Sequence, residues 1–436
     1  MAFGFITLSY FFLFMNYIEA YLAKNSFVSS ITDIPHPELK ICVVIPAFNE
    51  PSILESLDAL WNCITPASAV EIIIVINTPE NSSSDILEMT KVMISDVDNW
   101  IKNHQKEKIR FHAIERLNLP IKDAGVGLAR KTGMDEAVNR LYRAGNDGII
   151  AGFDADAICD TNYLKEIENH FNKELKSPGA SIYYEHPLIS DDEMLDEGIL
   201  RYELHLRYLI QALRFARYPY AFHTVGSSFA VRSEAYVKQG GMNKRRAGED
   251  FYFLQKIITL GNFSEINATR IMPSSRLSNR VPFGTGASMN KWVTEQELTT
   301  YNLNAYKGLA QLTSYVETLY TADDKTINDF LDTLPEPLLI FLLRIDITDN
   351  IQSIRSNSAS LKRFCDRFYR WFDAFQVIKY LNYSHDEFYR KNNVAMEAVK
   401  LLKELNISFT NTDSIKDLLM KFRFLDRSGF GINYQR

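Results

Sequence analysis

Closely spaced cysteines are missing from this 436-residue chain: Cys42, Cys63, Cys159 and Cys365 stand far apart with no C-x-x-C pair. That excludes a disulfide scaffold or a cysteine zinc knuckle and predicts four unpaired thiols in a reducing compartment. An excess of positive charge is missing too, with 48 Lys and Arg against 54 Asp and Glu and a net of -6. Such a balance gives no global attraction for phosphate polymers and argues against a nucleic-acid partner. Any anionic ligand must be met by a local basic patch. Internal repeats and low-complexity linkers are absent as well.

Long apolar runs are absent with one exception. Residues 2–18 read AFGFITLSYFFLFMNYI without a charge, just below the roughly 18 residues that mark a spanning helix. No Lys or Arg precedes the run and no small-x-small cleavage site follows it, which argues against a signal peptide. Two readings stay open: a short membrane anchor, or a helix whose aromatic side lies on the protein or on a bilayer surface. Length favours the second.

What is present is enough for a large core, with 46% hydrophobic and 12% aromatic side chains. The length suggests two or three folding units. Lys40-Ile-Cys-Val-Val-Ile-Pro46 and Val70-Glu-Ile-Ile-Ile-Val-Ile76 read as buried parallel strands around a helix from Ser52 to Trp61. A helix over about 85–103, a strand near 109–114, a helix around 127–144 and a strand from Gly148 to Phe153 continue the alternation. The pattern predicts an α/β fold with a mostly parallel, doubly wound, Rossmann-like sheet. Its ligand crevice should lie outside the carboxyl ends of the strands. After Trp292 aromatic-rich helical segments such as Leu338 to Ile345 and Leu361 to Leu381 take over. The predicted division is an N-terminal extension over 1–37, the α/β unit over 38–290 and a helical appendage over 291–436.

Several polar clusters follow strands. Asp154-Ala-Asp156 puts two carboxylates on one side of an extended chain, a spacing that suits one hard cation such as Mg2+ or Mn2+ gripping a diphosphate. Two solvated aspartates in a turn are the plain alternative. Asp123 to Gly133 enters a helix through a glycine loop and carries Arg130, a forked donor for phosphate or for those carboxylates. Gly248-Glu-Asp250 sits at a helix start, where Glu249 and Asp250 either cap the helix or supply a general base. Ser275 to Gly286 gathers Arg276, Arg280, hydroxyls and glycines in a composition suited to a diphosphate or to a surface turn. His223 is the candidate third metal ligand, although a lone His is more often simply hydrogen-bonded in a fold.

Taken in order, Val43-Val-Ile-Pro-Ala-Phe-Asn-Glu50, the Gly125 to Gly133 segment, Asp154-Ala-Asp156, Gly226 to Arg232 with Gly240-Gly241, and Gly248-Glu-Asp250 resemble a family 2 glycosyltransferase of the GT-A fold. The resemblance covers about residues 38–265. It implies transfer of a sugar from a UDP- or GDP-sugar, with Mg2+ or Mn2+, to a glycan or lipid-linked acceptor hydroxyl. Asp154 and Asp156 become the metal ligands, and Pro46, Ala47, Glu50, Arg130 and Asp154 become donor-site residues; Arg276 and Arg280, beyond the resemblance, join them on the composition of their loop. Asp250 becomes the base of an inverting reaction, with Glu249 as substitute.

The second strand departs from the family pattern. Asn77, in Ile76-Asn-Thr-Pro79, replaces an aspartate that contacts the base in many members, so Asn77 joins the donor-site candidates and the base stays open. The Gln-x-x-Arg-Trp motif of processive synthases is missing and no transmembrane bundle follows, so the resemblance implies single additions. A retaining transferase of mannosylglycerate-synthase type and a non-catalytic sugar-nucleotide binder are the alternatives. A cytoplasmic location follows, with peripheral membrane contact through residues 1–18.

Overall fold

The computed structural model describes residues 17–104, 106–188, 192–245, 247–276, 284–410 and 412–431. In chain order the first elements are β1 (Leu39–Ala47), α1 (Ile53–Trp61), β2 (Ala69–Pro79), α2 (Ser84–Asn103), β3 (Ile109–Leu119), α3 (Val126–Arg143), β4 (Ile149–Gly152), β5 (Ile158–Cys159), α4 (Tyr163–Lys173) and β6 (Gly179–Tyr184). Then come α5 (Glu193–Phe215), β7 (Phe229–Arg232), α6 (Ser233–Lys238), α7 (Glu249–Ile258) and β8 (Ser264–Met272), and the chain continues almost wholly in helices. Contacts gather these into two units interleaved in sequence: Met1–Pro187 with Thr224–Gly284, and Leu188–His223 with Thr285–Arg436.

The first unit holds one eight-stranded sheet in the order β3-β2-β1-β4-β7-β6-β8-β5. Strands β3, β2, β1 and β4 pair in parallel, and only β7 and β5 run against the rest. The mostly parallel sheet expected from the alternation is present. Strand β2 is buried from Ala69 to Thr78 because both its faces are covered, which is why it reads as a continuous apolar run. Its one acid, Glu71, is tolerated there because Arg140 on α3 donates Nε to Oε2 at 2.7 Å and Nη2 to Oε1 at 2.6 Å.

Helix α3 lies directly against the strands. A Cβ at Gly133 would fall 2.4 Å from Val44 Cγ1 and 3.0 Å from Val75 Cγ2, so the glycine sets that approach. The same helix anchors the N-terminal extension. Residues 17–24 are helical, Ile18 is fully buried, and Tyr21 donates its hydroxyl to Asp135 at 2.7 Å. Ser29 Oγ and the Ser30 amide donate to Glu136 at 2.8 and 2.7 Å. Most of the apolar run, residues 1–16, lies outside the described residues; its last residues rest on the protein. Among the described residues no helix is long and apolar enough to cross a membrane.

The second unit packs helices around Tyr208, Tyr306, Leu309, Phe364, Phe368 and Phe422. One prediction needs correcting: Leu361 to Leu381 is not one helical segment but two helices, Leu361–Trp371 and Ala374–Glu387. Asp373 caps the second by accepting the Gln376 amide at 3.0 Å, and the apolar rhythm that continues across the joint conceals it in the sequence. Helix α5 carries Glu203, Arg207 and Gln211 into contact with Arg423 and Asp426 of the helix Ile415–Arg427. Arg207 Nε donates to Glu203 at 2.8 Å, Arg207 Nη1 donates to Asp426 at 2.5 Å, and Arg423 holds both Glu203 oxygens at 2.8 Å.

Candidate active site

Strand order fixes where the site lies. From β1 the chain winds outward through β2 and β3, then returns to place β4 on the other side of β1. The carboxyl ends of β1 and β4 flank that reversal, the place where an open α/β sheet leaves a crevice. Pairing of Val44 with Gly152 brings Pro46 to Glu50 beside Asp154 to Asp156. Gly152 must be glycine, since a Cβ would meet the Phe229 ring at 2.5 Å and the Gly226 carbonyl at 2.7 Å. Ser56 on α1 donates to the Ala155 carbonyl at 2.9 Å and pins the turn between the two aspartates.

Arg130 is the hub. It is 3% exposed, donates Nε to Glu249 Oε1 at 2.9 Å and Nη2 to Asp154 Oδ1 at 2.5 Å, and gives Nη1 to the Gly226 carbonyl. A side chain at position 226 would lie 2.6 Å from Arg130 Nη2 and 3.0 Å from Asp250 Oδ2, so Gly226 clears the space in which the arginine and the two acids converge. Gly248, at φ +71°, turns the chain in the left-handed region into α7, whose first turn carries Glu249 and Asp250.

Burial pushes Glu249 up to about 7 against the pull of Arg130, with the Asp250 charge adding to the rise. Burial also raises Asp250, again against Arg130 and against the Phe251 amide that donates to Oδ1 at 2.7 Å. The two acids differ in access: Glu249 is buried and committed to Arg130, while Asp250 is partly open.

A second arginine serves the other carboxylate. Arg276, beyond the end of β8, lies 3.2 Å from Asp156 Oδ2, donates Nη1 to Glu50 Oε1 at 2.6 Å and gives Nη2 to Glu50 Oε2. Glu50 is buried, and its Oε1 also accepts the Ser52 amide at 3.1 Å. Ala47 is buried and Pro46 half-buried at the end of β1, and Asn77 is buried near the end of neighbouring β2.

The charged candidates and His223 thus fall into three groups. Asp154, Asp156, Arg130, Arg276, Glu50, Glu249 and Asp250 come together in the first unit through the contacts above. His223 is counted with the second unit, where its Nε2 lies 3.0 Å from Asp426 Oδ2. Arg280 lies outside the described residues. Among the described residues no three His, Cys, Asp or Glu side chains form a metal-holding group. The donor set is two carboxylates whose side chains are 34% and 27% exposed. That pair fits a hard cation taking its remaining oxygens from a diphosphate and water.

Asn49 is a site residue that no sequence motif singles out: it adopts φ +46° and buries an Oδ1 with no hydrogen-bond partner at the mouth of the crevice. Its one sequence signal is an Asn directly after a strand end, a residue type that tolerates the left-handed region. Ser56, which reads in the sequence as a plain helix residue, is another.

Residues 42–239 match the family model of Glycosyl transferase family 2. Among solved structures, S. aureus TarS residues 1–349 in complex with UDP-GlcNAc is similar at 14% identity, covering 89% of this chain and 92% of that one, with a TM-score of 0.37. The mannosyltransferase PcManGT from Pyrobaculum calidifontis, in complex with GDP-Man and Mn2+, is 12% identical over 100% of this chain and 98% of that one, with a TM-score of 0.36. Glucosyl-3-phosphoglycerate synthase from Mycobacterium tuberculosis, with Mn2+, UDP-Glc and phosphoglyceric acid, is 15% identical over 52% and 68%, with a TM-score of 0.30. Likenesses this distant add nothing to the strand order described above. No curated protein matches the sequence.

Proposed function

We propose, from the membership of residues 42–239 in glycosyl transferase family 2, that this glycosyltransferase moves a sugar from a UDP- or GDP-linked donor to an acceptor hydroxyl, with inversion and one addition at a time. The supporting observation is that Arg130 joins Asp154 to the Glu249 and Asp250 pair at the crevice beside β1 and β4.

In this reading Asp154 and Asp156 hold Mg2+ or Mn2+. When bound, the ion offsets the charge that develops on the departing diphosphate. Arg130, fixed by Glu249 and the Gly226 carbonyl, keeps a cation at that end of the site at no reorganisation cost during reaction. Arg276 exchanges its carboxylate partners for phosphate oxygens, and Glu50 returns it to the crevice between turnovers. Asp250 accepts the proton of the acceptor hydroxyl as that oxygen attacks the anomeric carbon in line with the leaving diphosphate. Its raised pKa makes the ionised carboxylate a stronger base. Glu249 positions Arg130 and leaves proton transfer to its neighbour.

Calorimetry with UDP, GDP and their sugars, with and without Mn2+, tests the reading. One nucleotide series should bind, Mn2+ should strengthen it, and Asp156→Ala should remove that gain. Absence of donor binding, or unchanged binding in Asp156→Ala, overturns it. The anomeric configuration of the product, read by NMR, tests inversion; retention would leave Asp250 to position the acceptor. A glycan or lipid-linked acceptor and a peripheral contact of residues 1–18 with the cytoplasmic membrane face complete the proposal. Vesicle flotation of the chain with and without residues 1–16 checks the contact.

A further inference from the structure

Two thiols that stand 96 positions apart in sequence come together in the fold: Cys63 Sγ and Cys159 Sγ lie 3.8 Å from each other. Cys63 follows the end of α1 and Cys159 ends β5, and they are 3% and 9% exposed. Both elements frame the Asp154 to Asp156 turn. Helix α1 reaches it through Ser56 on the Ala155 carbonyl, and β5 begins two residues after Asp156. The other two thiols are placed differently, with Cys42 fully buried in β1 and Cys365 in the second unit.

We propose that Cys63 and Cys159 are a modification site, closing to an intramolecular disulfide under hydrogen peroxide and bracing α1 against β5 beside the two aspartates. The sulfurs need to close from 3.8 Å to about 2.05 Å, a movement available to side chains already in contact.

The Cys63 thiolate attacks one peroxide oxygen, the O–O bond breaks, and the leaving hydroxide takes up a proton to become water. Cys63 is then a sulfenic acid. The Cys159 sulfur attacks the Cys63 sulfur, the S–O bond breaks, and the hydroxyl departs as water with the Cys159 proton. Two thiols and one peroxide give one disulfide and two waters, with two electrons passing from sulfur to oxygen. Either thiol can donate across the contact; with Cys159 donating, Cys63 is held below the ordinary thiol range against its burial while Cys159 is pushed up, which makes Cys63 the attacking sulfur. Disulfides in reducing compartments are typically transient and redox-sensing, which matches a bond that a dithiol reductant reverses. The inference stands apart from any reading of the transfer reaction.

The test treats the full chain with peroxide, blocks the remaining thiols with an alkylating agent and maps peptides by mass spectrometry without reduction. The expected product is a peptide pair joined through Cys63 and Cys159, two hydrogens lighter than its parts, with Cys42 and Cys365 alkylated after unfolding. Closing so long a loop should raise the melting temperature of the wild type by about 5 °C, reversed by dithiothreitol. Cys63→Ser and Cys159→Ser should each abolish both effects. The proposal is overturned if both thiols remain alkylatable after peroxide, if Cys63 is driven to sulfinic acid without a bond to Cys159, or if either cysteine pairs with Cys365. Because the mapping is done on wild type, it holds even where a variant folds poorly.

Discussion

Each unit contains a cluster of arginines and carboxylates, and the two clusters are built for different ends. In the second unit Glu203 and Arg207 are fully buried and Asp426 is 3% exposed, with guanidiniums on both acids. In the first unit Arg130 is equally buried, yet its partner Asp154 is about one-third open and Asp156 little less. A sealed cluster spends its charges on one another and keeps one packing arrangement. A cluster with one wall open holds its cations ready for an anion from solution. The same residue types therefore read as architecture in one unit and as a site in the other, and exposure of the carboxylates is what separates them.

The largest effect should come from breaking the sealed cluster. Arg207→Met leaves Glu203 and Asp426 buried with fewer cations, and loss of one partner of a buried pair costs about 3–5 kcal/mol. Denaturant unfolding followed by the melting of the second unit checks it; a loss below about 1 kcal/mol would mean that water reaches the cluster and that it is no more closed than the other. Next in size is the open cluster's base. Asp250→Asn should lower kcat by about 10²–10⁴-fold, the usual range for a positioned proton acceptor, with the chain as stable as wild type. A comparable fall in stability would make Asp250 structural, like Asp426. Third, Arg276→Ala removes a cation that is 28% exposed at its side chain, and should weaken donor binding about tenfold, or ~1.4 kcal/mol, with some loss of stability because the buried Glu50 carboxylate loses that partner. Calorimetry on the two proteins reads it directly.

The sequence announced the open site better than the sealed one, for a physical reason. Buried parallel strands write themselves as apolar runs, and residues that end such strands fall at the crevice, so Asp154 and Asp156 could be found by place alone, and Glu50 through the family resemblance. Glu249 and Asp250 could be found because they open a helix. Part of what joins these residues was visible, since Arg130 reads as a donor for phosphate or for the two aspartates and does donate to Asp154; its reach to Glu249 across 119 positions was not, because nothing local to either marks the contact. The sealed cluster has one local pair, Glu203 with Arg207 four residues on, but what closes it is of the hidden kind, since Arg423 and Glu203 are 220 positions apart on helices whose rhythm gives only their apolar faces. The contact of His223 was hidden for the same reason, since its partner Asp426 is 203 positions away. The Cys63 and Cys159 contact was hidden likewise, and their wide spacing was read as separation.

The pH dependence sharpens the contrast most, because the two clusters should respond in opposite directions. Burial alone would raise Asp426, but His223, Arg207 and Arg214 outweigh it and hold its carboxyl well below the ordinary range. Its contribution to stability is therefore present above pH 4 or so and lost as pH falls further. Glu249 is the reverse case, with a folded pKa of about 7 against an ordinary carboxylate value near 4.3. Between those values the folded chain keeps a proton that the unfolded chain releases, so stability falls as pH rises toward 7, by at most about 1.4 kcal/mol per pH unit. Glu249→Gln keeps the shape and removes the titration, so its stability should run flatter than wild type between pH 5 and 7 while the acid limb below pH 4 is unchanged. Unfolding free energies at four or five pH values in that window decide the matter. Parallel curves for the two proteins would mean that Arg130 keeps Glu249 ionised throughout, making the open cluster as fully charge-paired as the sealed one.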